Sequence, residues 1–375
     1  MPSHALFAAL RPLTSLRRAG LLALSVLAVL AAALLPTSRA AASVPDQWGF
    51  AYLDDATPPP GYTPDPTRQW GSWTAPSGNP VTVDQTGLGT YTVRFPQIAG
   101  KNGVAHVTAV DPKGISCQVA GWTAGGPDEL VGVSCFAPSG APANSRFTVL
   151  WTTSSGTLPP GPSGYGYVYS DVSGALLSTY NSTGGANAVS KGGVGEWKAW
   201  LPGLGAASMM GDLQVTAVDP KQDAHCKPAL WSPNAAGQTV VVRCTDANGK
   251  PYDTRWTLSY SVQRAVHGPA FPPKSFGYLM LLNGTVPSGT TYNSSGALNG
   301  AGMSSPTAWA VLMPKIAVPA DHAQATAYGT DPGYCTFTAP WDRPSGDVML
   351  HVGCWDPTGA PYPKESFFTA YTSAF

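Results

Sequence analysis

Charged residues are scarce. Asp, Glu, Lys and Arg together make up 11% of the chain, and 21 basic residues balance 21 acidic ones. No dense basic patch can be assembled from so few cations. That argues against nucleic acid or an anionic membrane as partner, since both bind through clustered positive charge. Helical periodicity is also missing: outside an N-terminal apolar run, no stretch repeats apolar residues at the spacing of an amphipathic helix. The motifs of common chemistries are absent, with no Gly-x-Ser-x-Gly elbow, no His-Glu-x-x-His and no phosphate-binding loop. Beyond residue 42 the histidines are His106, His225, His267, His322 and His351, and none shares a metal-ligand spacing with another His or Cys. No catalytic residue, cofactor or metal is expected on these grounds.

The first 40 residues lack acids altogether. Arg11, Arg17, Arg18 and Arg39 are their cations, an apolar run spans 19–35, and small residues around Ala40 and Ala42 suit a cleavage site. Cations, apolar core and small-x-small residues in that order read as an export signal, with cleavage after Ala40 or Ala42. An uncleaved anchor is the other reading, and it would be the only membrane contact. Removal takes four of the 21 basic residues and none of the 21 acidic ones, leaving a net charge of −4.

What the chain does have is glycine (42), proline (37) and a repeat. Cys117, Cys226 and Cys335 recur at a spacing of 109 residues. Three copies follow, at 48–155, 164–263 and 276–375, separated by the Pro-rich stretches 154–164 and 263–275. The repetition favours pairing within each copy: Cys117 with Cys135, Cys226 with Cys244, and Cys335 with Cys354. Such bonds require an oxidising compartment, in agreement with the export signal.

Period-two alternation recurs at equivalent places in each copy. Tyr91, Val93 and Phe95 correspond to Trp197, Ala199 and Leu201, then to Trp309, Val311 and Met313, and a proline ends each run. A second strand carries Ala105, Val107 and Ala109, then Leu213, Val215 and Ala217, then Ala323, Ala325 and Ala327, each followed by a turn at Asp111, Asp219 or Asp331. A last strand reads Phe147, Val149, Trp151 and Trp256, Leu258, Tyr260. In copy three this register gives Phe368, Ala370 and Thr372, with Tyr371 one residue early. About seven strands per copy predict an all-β protein of three tandem, disulfide-stapled, sandwich-like or small-barrel units. The alternative is one closed propeller-like ring, with each copy giving two blades.

Candidate site residues are few. By alternation His106 and His351 point to solvent. Asp54-Asp55 and Asp128-Glu129 are adjacent acids of the kind that sit solvated in loops. The aspartate turns lack further oxygen ligands at regular spacing for calcium. Asn181, Asn283 and Asn293 head glycan-acceptor triplets, but the Ala/Gly/Pro-rich composition looks bacterial, which favours a turn role. Trp122, Trp231 and Trp341 follow the first cysteine of each copy by five, five and six residues. They either face outward from an edge strand and stack on sugar rings, or are rotated into the core by a bulge.

With these residues in view, the repeat resembles one found in secreted, mostly uncharacterised proteins of actinobacteria and other bacteria. The resemblance lies in 180–185 (YNSTGG), 193–204, 213–219, 240–244 and 253–260, and covers nearly all of the chain beyond the export segment. It implies export and a repeat architecture, and brings no established activity. Copy three departs most, with SSPT in place of a Gly-x-Gly turn. The reading is a secreted, monomeric, non-enzymatic binding or structural module. A second reading is a carbohydrate- or cell-wall-binding protein using the repeated Trp. A third is an enzyme with a site between copies. We predict that the intact mass of the exported protein lacks residues 1–40 or 1–42 and that thiol titration finds no free cysteine. A chain starting at Met1 with reactive thiols contradicts this.

Overall fold

The computed structural model describes residues 46–375 apart from 75, 160 and 269–273, so the export segment lies outside the described residues. Each copy forms eight strands. The first copy has β1 (Gln47–Leu53), β2 (Gln69–Gly71), β3 (Thr82–Gly87), β4 (Thr90–Phe95), β5 (Val104–Val110), β6 (Ser116–Gly125), β7 (Asp128–Phe136) and β8 (Arg146–Thr153). The second has β9 (Gly164–Ser170), β10 (Leu176–Asn181), β11 (Ala188–Lys191), β12 (Glu196–Pro202), β13 (Asp212–Val218), β14 (Ala224–Asn234), β15 (Gly237–Asp246) and β16 (Arg255–Val262). The third has β17 (Phe276–Leu281), β18 (Thr291–Asn293), β19 (Gly300–Ser305), β20 (Ala308–Met313), β21 (Asp321–Tyr328), β22 (Tyr334–Phe337), β23 (Val348–Trp355) and β24 (Ser366–Ser373). The protein is all-β, as expected. Among the described residues no helix is long and apolar enough to cross a membrane.

The alternation explains the strands. In β4, Tyr91, Val93 and Phe95 are buried and their neighbours are not; β12 buries Trp197, Ala199 and Leu201 in the same way. Each run ends in a turn where proline is followed by a residue at positive φ: Gln97 at 60°, Gly203 at 70° and Lys315 at 61°. Proline sets the first torsion of such a turn and the next residue takes the left-handed one.

Each copy builds two four-stranded layers around a core. In the first copy these are β2-β1-β8-β5 and β3-β4-β7-β6, and the other two copies repeat the order. The three disulfides join Cys117–Cys135, Cys226–Cys244 and Cys335–Cys354, each across directly opposed residues with Cα atoms 4.0 Å apart. The expected pairing holds, and Cys135, Cys244 and Cys354 lie in the cores.

The copies do not stand apart as separate tandem units. One eight-stranded sheet joins β22 of the third copy to β5 of the first, and another joins β6 of the first to β13 of the second. The residue just past each fifth strand donates to the sixth strand of another copy. Asp219 N–H donates to Val119 O (2.9 Å), Gly329 N–H to Pro228 O (3.0 Å) and Asp111 N–H to Phe337 O (2.8 Å). First copy to second, second to third and third to first make a closed cycle. The cores follow it: Val218 enters the first copy's core, Met280 and Phe368 the second's, and Tyr52 and Val110 the third's.

Two sequence expectations change here. The Pro-rich stretch 263–275, expected only to separate two copies, is itself packed: Ala265, Val266 and His267 are buried. Tyr165 Oη donates to Val266 O (3.0 Å), Thr152 Oγ1 donates to His267 O (2.6 Å), and the His267 ring stacks on Trp48 at 4.2 Å. The last strand of copy three is also one residue out of the expected register. Tyr371 pairs with Gly277 as Trp151 pairs with Gly49 and Tyr260 with Gly166. So Tyr371, not Thr372, takes the third core place. Phe367 fills the third core, and Phe368 is turned into the second copy's core against Trp231.

Phe368→Ala therefore tests the interlock. Loss of a buried phenylalanine costs about 3–5 kcal/mol. In urea titration the substitution should lower the midpoint for probes in all three copies together, whereas Leu298→Ala, at a 90% exposed position, should leave it unchanged. A shift confined to the third copy contradicts the arrangement.

Candidate functional site

A strand covered on one side by its own core still has a second face. For the fifth strands β5, β13 and β21 that face meets the other two copies, and almost every residue of all three strands is buried. His106, expected in solvent, is completely buried. Its Nδ1 lies 3.0 Å from Thr216 Oγ1 and its Nε2 2.7 Å from Ser259 Oγ, both in the second copy. His322 Nδ1 lies 2.7 Å from Thr148 Oγ1 of the first copy. The threonines of this face act across copies. Thr108 Oγ1 donates to Ala325 O and accepts from Ala325 N–H (3.1 and 3.0 Å). Thr326 Oγ1 does the same to Val215 (2.8 and 3.2 Å). His351 is half-buried, with Nε2 2.8 Å from Asp342 Oδ2.

Where the sixth strands begin, Ser116, His225 and Tyr334 occupy equivalent positions, each just before a disulfide cysteine, around a cavity of about 60 Å³. Ser116 Oγ donates to Asp223 Oδ1 (3.1 Å). His225 Nε2 lies 3.1 Å from the same oxygen, angled off a hydrogen bond. Serine and imidazole both face the carboxylate, so the two are not paired with each other as hydroxyl and imidazole base. The volume suits ordered water rather than an organic substrate.

Two ion clusters fasten the seams. Lys227 Nζ reaches Glu365 Oε1 (2.5 Å) and Asp331 Oδ1 (3.0 Å) between copies two and three. Burial and its hydrogen bond to Asp331 push the Glu365 carboxyl up to about 8. Burial works against ionisation of Asp331, but hydrogen bonds from Glu365, Gly333 and Lys227 together with the lysine charge hold it at about 2. Between copies three and one, Arg343 grips the buried Asp321 with two nitrogens (2.6 and 2.7 Å) and donates to Thr67 O (2.9 Å).

The expected solvated acids divide. Asp54 and Asp55 bind Tyr62 and Thr57 at the surface. Asp128 is buried against Arg94 (2.6 Å), and Glu129 is fully buried, accepting from Gly100 N–H (2.8 Å), with burial pushing it up to about 7. Asp111, Asp219 and Asp331 are turn formers: each accepts from the backbone N–H two residues on, at 2.7–2.9 Å. Asn181 and Asn293 do likewise (2.9 Å each), and their amide nitrogens are taken by Pro202 O and Pro314 O. Among the described residues no group of three or more His, Cys, Asp or Glu could hold a metal ion.

The three tryptophans part company. Bulges after Val119 and Pro228 turn Trp122 and Trp231 to the core side, opposite Val131 and Val240. Trp231 and Trp341 are buried at 5% and 1% exposure, so they are packing residues and not exposed platforms. Trp122 is half-buried. It leans on Tyr169 of the second copy (ring centroids 4.5 Å, 44°) and lines a groove of about 440 Å³ along the seam between copies one and two. Arg255, Lys101, Asn102 and Ser178 share that groove. Tyr169 and Arg255 were not singled out in the sequence, because only the cyclic packing brings them beside Trp122.

The buried groups give a pH dependence. Burial lowers His106 to about 3 and His267 to about 4 from 6.5, and puts His322 well below 6.5. The unfolded chain then binds protons that the folded chain refuses, so stability falls as pH drops below about 6.5. Asp212 and Glu129 are raised by burial to about 7, from 3.8 and 4.5, and Glu365 to about 8. These groups stabilise at low pH, and their contribution is lost as pH rises from about 4 through 7–8. We predict a stability maximum near pH 5–6 in urea titrations. His106→Gln should shallow the acid limb and Asp212→Asn the alkaline limb. Unchanged limb slopes in both variants contradict this assignment.

No family model, curated protein or solved structure matches the chain, so its chemistry is read from its own geometry.

Proposed function

We propose that this protein is a secreted, non-enzymatic binding module of the bacterial cell exterior, built on the repeat that it resembles, and that its ligand is carbohydrate. The three disulfides support an oxidising, extracellular setting. The deep polar groups support a structural role for the axis: His106, Thr108, His322 and Thr326 bond across copies, and Ser116 and His225 both turn to Asp223. One observation carries the binding reading. Trp122 is the member of the repeated Trp set that keeps an open face, at the edge of a groove with polar walls. Flat aromatic faces stack on the apolar faces of sugar rings while neighbouring polar groups take the hydroxyls.

Only one platform is open, so the protein should bind as a monovalent module, without the avidity that three platforms would supply. The intact protein should be retarded by insoluble polysaccharide or cell-wall material in a frontal column. Trp122→Ala should run with the void and lose less stability than Trp231→Ala, because its ring is only partly buried against the core. Trp231→Ala should lose stability by about 3–5 kcal/mol, as a buried tryptophan does. Equal passage of wild type and Trp122→Ala removes the binding reading and leaves a purely structural surface module.

A further inference from the structure

The three seams are built alike, and their differences are informative. In two of them, the sixth strand or its continuation presents its tryptophan to a tyrosine of the first strand of another copy. Tyr52 and Tyr169 lie three residues past the equivalent Gly49 and Gly166. Tyr52 meets Trp341 at 5.5 Å, and Tyr169 meets Trp122 at 4.5 Å. At the seam of copies three and one, the outer face of Trp341 is then covered. Arg68 places its guanidinium 4.3 Å over the ring and donates to Trp341 O (2.7 Å). Arg68 belongs to the long Pro-rich loop after β1, which the second and third copies replace by shorter loops. At the seam of copies two and three, Trp231 is covered by Phe368 (5.9 Å), and its N–H accepts no solvent role because Nε1 donates to Gln238 Oε1 (2.8 Å). At the seam of copies one and two, the second copy has no long loop to send over Trp122. There Trp122 lines the open groove instead.

A planar group therefore fits on Trp122, and charge selects which. The groove carries Lys101 and Arg255, the guanidinium of the latter lying against the Tyr169 hydroxyl, and no carboxylate lines it. A second cation in the manner of Arg68 would be repelled. An anionic group would be attracted, and Lys101 and Arg255 both bring charged donors that suit a carboxylate to the same groove. Asn102 adds an amide that can pair with a hydroxyl, and a groove of about 440 Å³ falls within the range of small-ligand sites. Two cations are too few to hold a nucleic-acid backbone by charge, and the chain beyond residue 42 is net negative.

We infer that the seam groove takes an acidic sugar, a hexuronate unit of a polysaccharide, with the ring on Trp122 and the carboxylate toward Arg255 and Lys101. This rests on the carbohydrate reading above and narrows it. Titration calorimetry with tri-galacturonate and with neutral cellotriose separates the two. The acidic trimer should bind at least about tenfold more tightly, a difference of the size one charge-assisted contact supplies. Trp122→Ala should abolish binding of the acidic trimer. Lys101→Glu, at an exposed position, should weaken it severalfold with an unchanged urea midpoint. Equal affinity for cellotriose, with no effect of Lys101→Glu, overturns the acidic specificity and leaves the carbohydrate reading standing. Heat from neither trimer overturns both. Acidic binding that survives in Trp122→Ala, or tighter binding of a single-stranded oligonucleotide than of the uronate, overturns the site assignment.

Discussion

A β-strand at a sheet edge has backbone groups that its own sheet leaves unpaired, and burying them is costly unless something else answers them. Here three strands, β5, β13 and β21, each at the edge of its own copy's four-stranded layer and paired to another copy at most at one end, are buried together at the centre. The answer comes from side chains of the next copy. A threonine hydroxyl both donates and accepts, so Thr108 serves both backbone groups of Ala325, and Thr326 serves both of Val215. At the remaining junction Thr216 meets the His106 imidazole instead, and Thr257 donates to Ala105 O (2.9 Å). Each such bond adds only about 1 kcal/mol net, but an unanswered buried partner costs about 1–3 kcal/mol. The copies are thus held in one arrangement more by the cost of separating them than by the strength of any single contact.

That constraint decides where the charges go. His106 and His322 are held neutral because their rings are enclosed by other copies. The ionised groups sit nearer the rim: Arg343 with Asp321 at one seam, Lys227 with Asp331 at another. At the remaining seam, between copies one and two, Ser116 and Gln118 of β6 bond neutrally or to a single acid of the second copy, Asp223, or to Asp219 O (2.6 Å). The copies share a plan and differ in the side chains that close it. The open Trp122 groove follows from one such difference, the loop that carries Arg68.

Much of the single-copy structure was legible. Alternation in β4 and β12 named the core residues, and the fixed cysteine spacing named the disulfides. Alternation says which residues share a face but not what lies opposite it. The polar face of β5 therefore read as solvent-exposed, and His106 was misplaced. Glu129 and the segment around Val266 were misread for the same reason, since acids and Pro-rich stretches carry no mark of a neighbour that covers them. The tryptophans turned on bulges at Ala120 and Ala229, which shift the face by one residue and leave only a weak trace in sequence. Phe368 shows the converse. Adjacent phenylalanines in β24 serve two different cores, and no single-copy alignment can assign both.

The central claim is that the three copies form one cooperative body through a shared polar axis. Calorimetric unfolding of the disulfide-intact protein tests it most directly. A single transition with calorimetric and van't Hoff enthalpies equal is the predicted result. Two or three resolved transitions, or a calorimetric enthalpy about threefold above the van't Hoff value, would show copies that melt independently and would contradict the account.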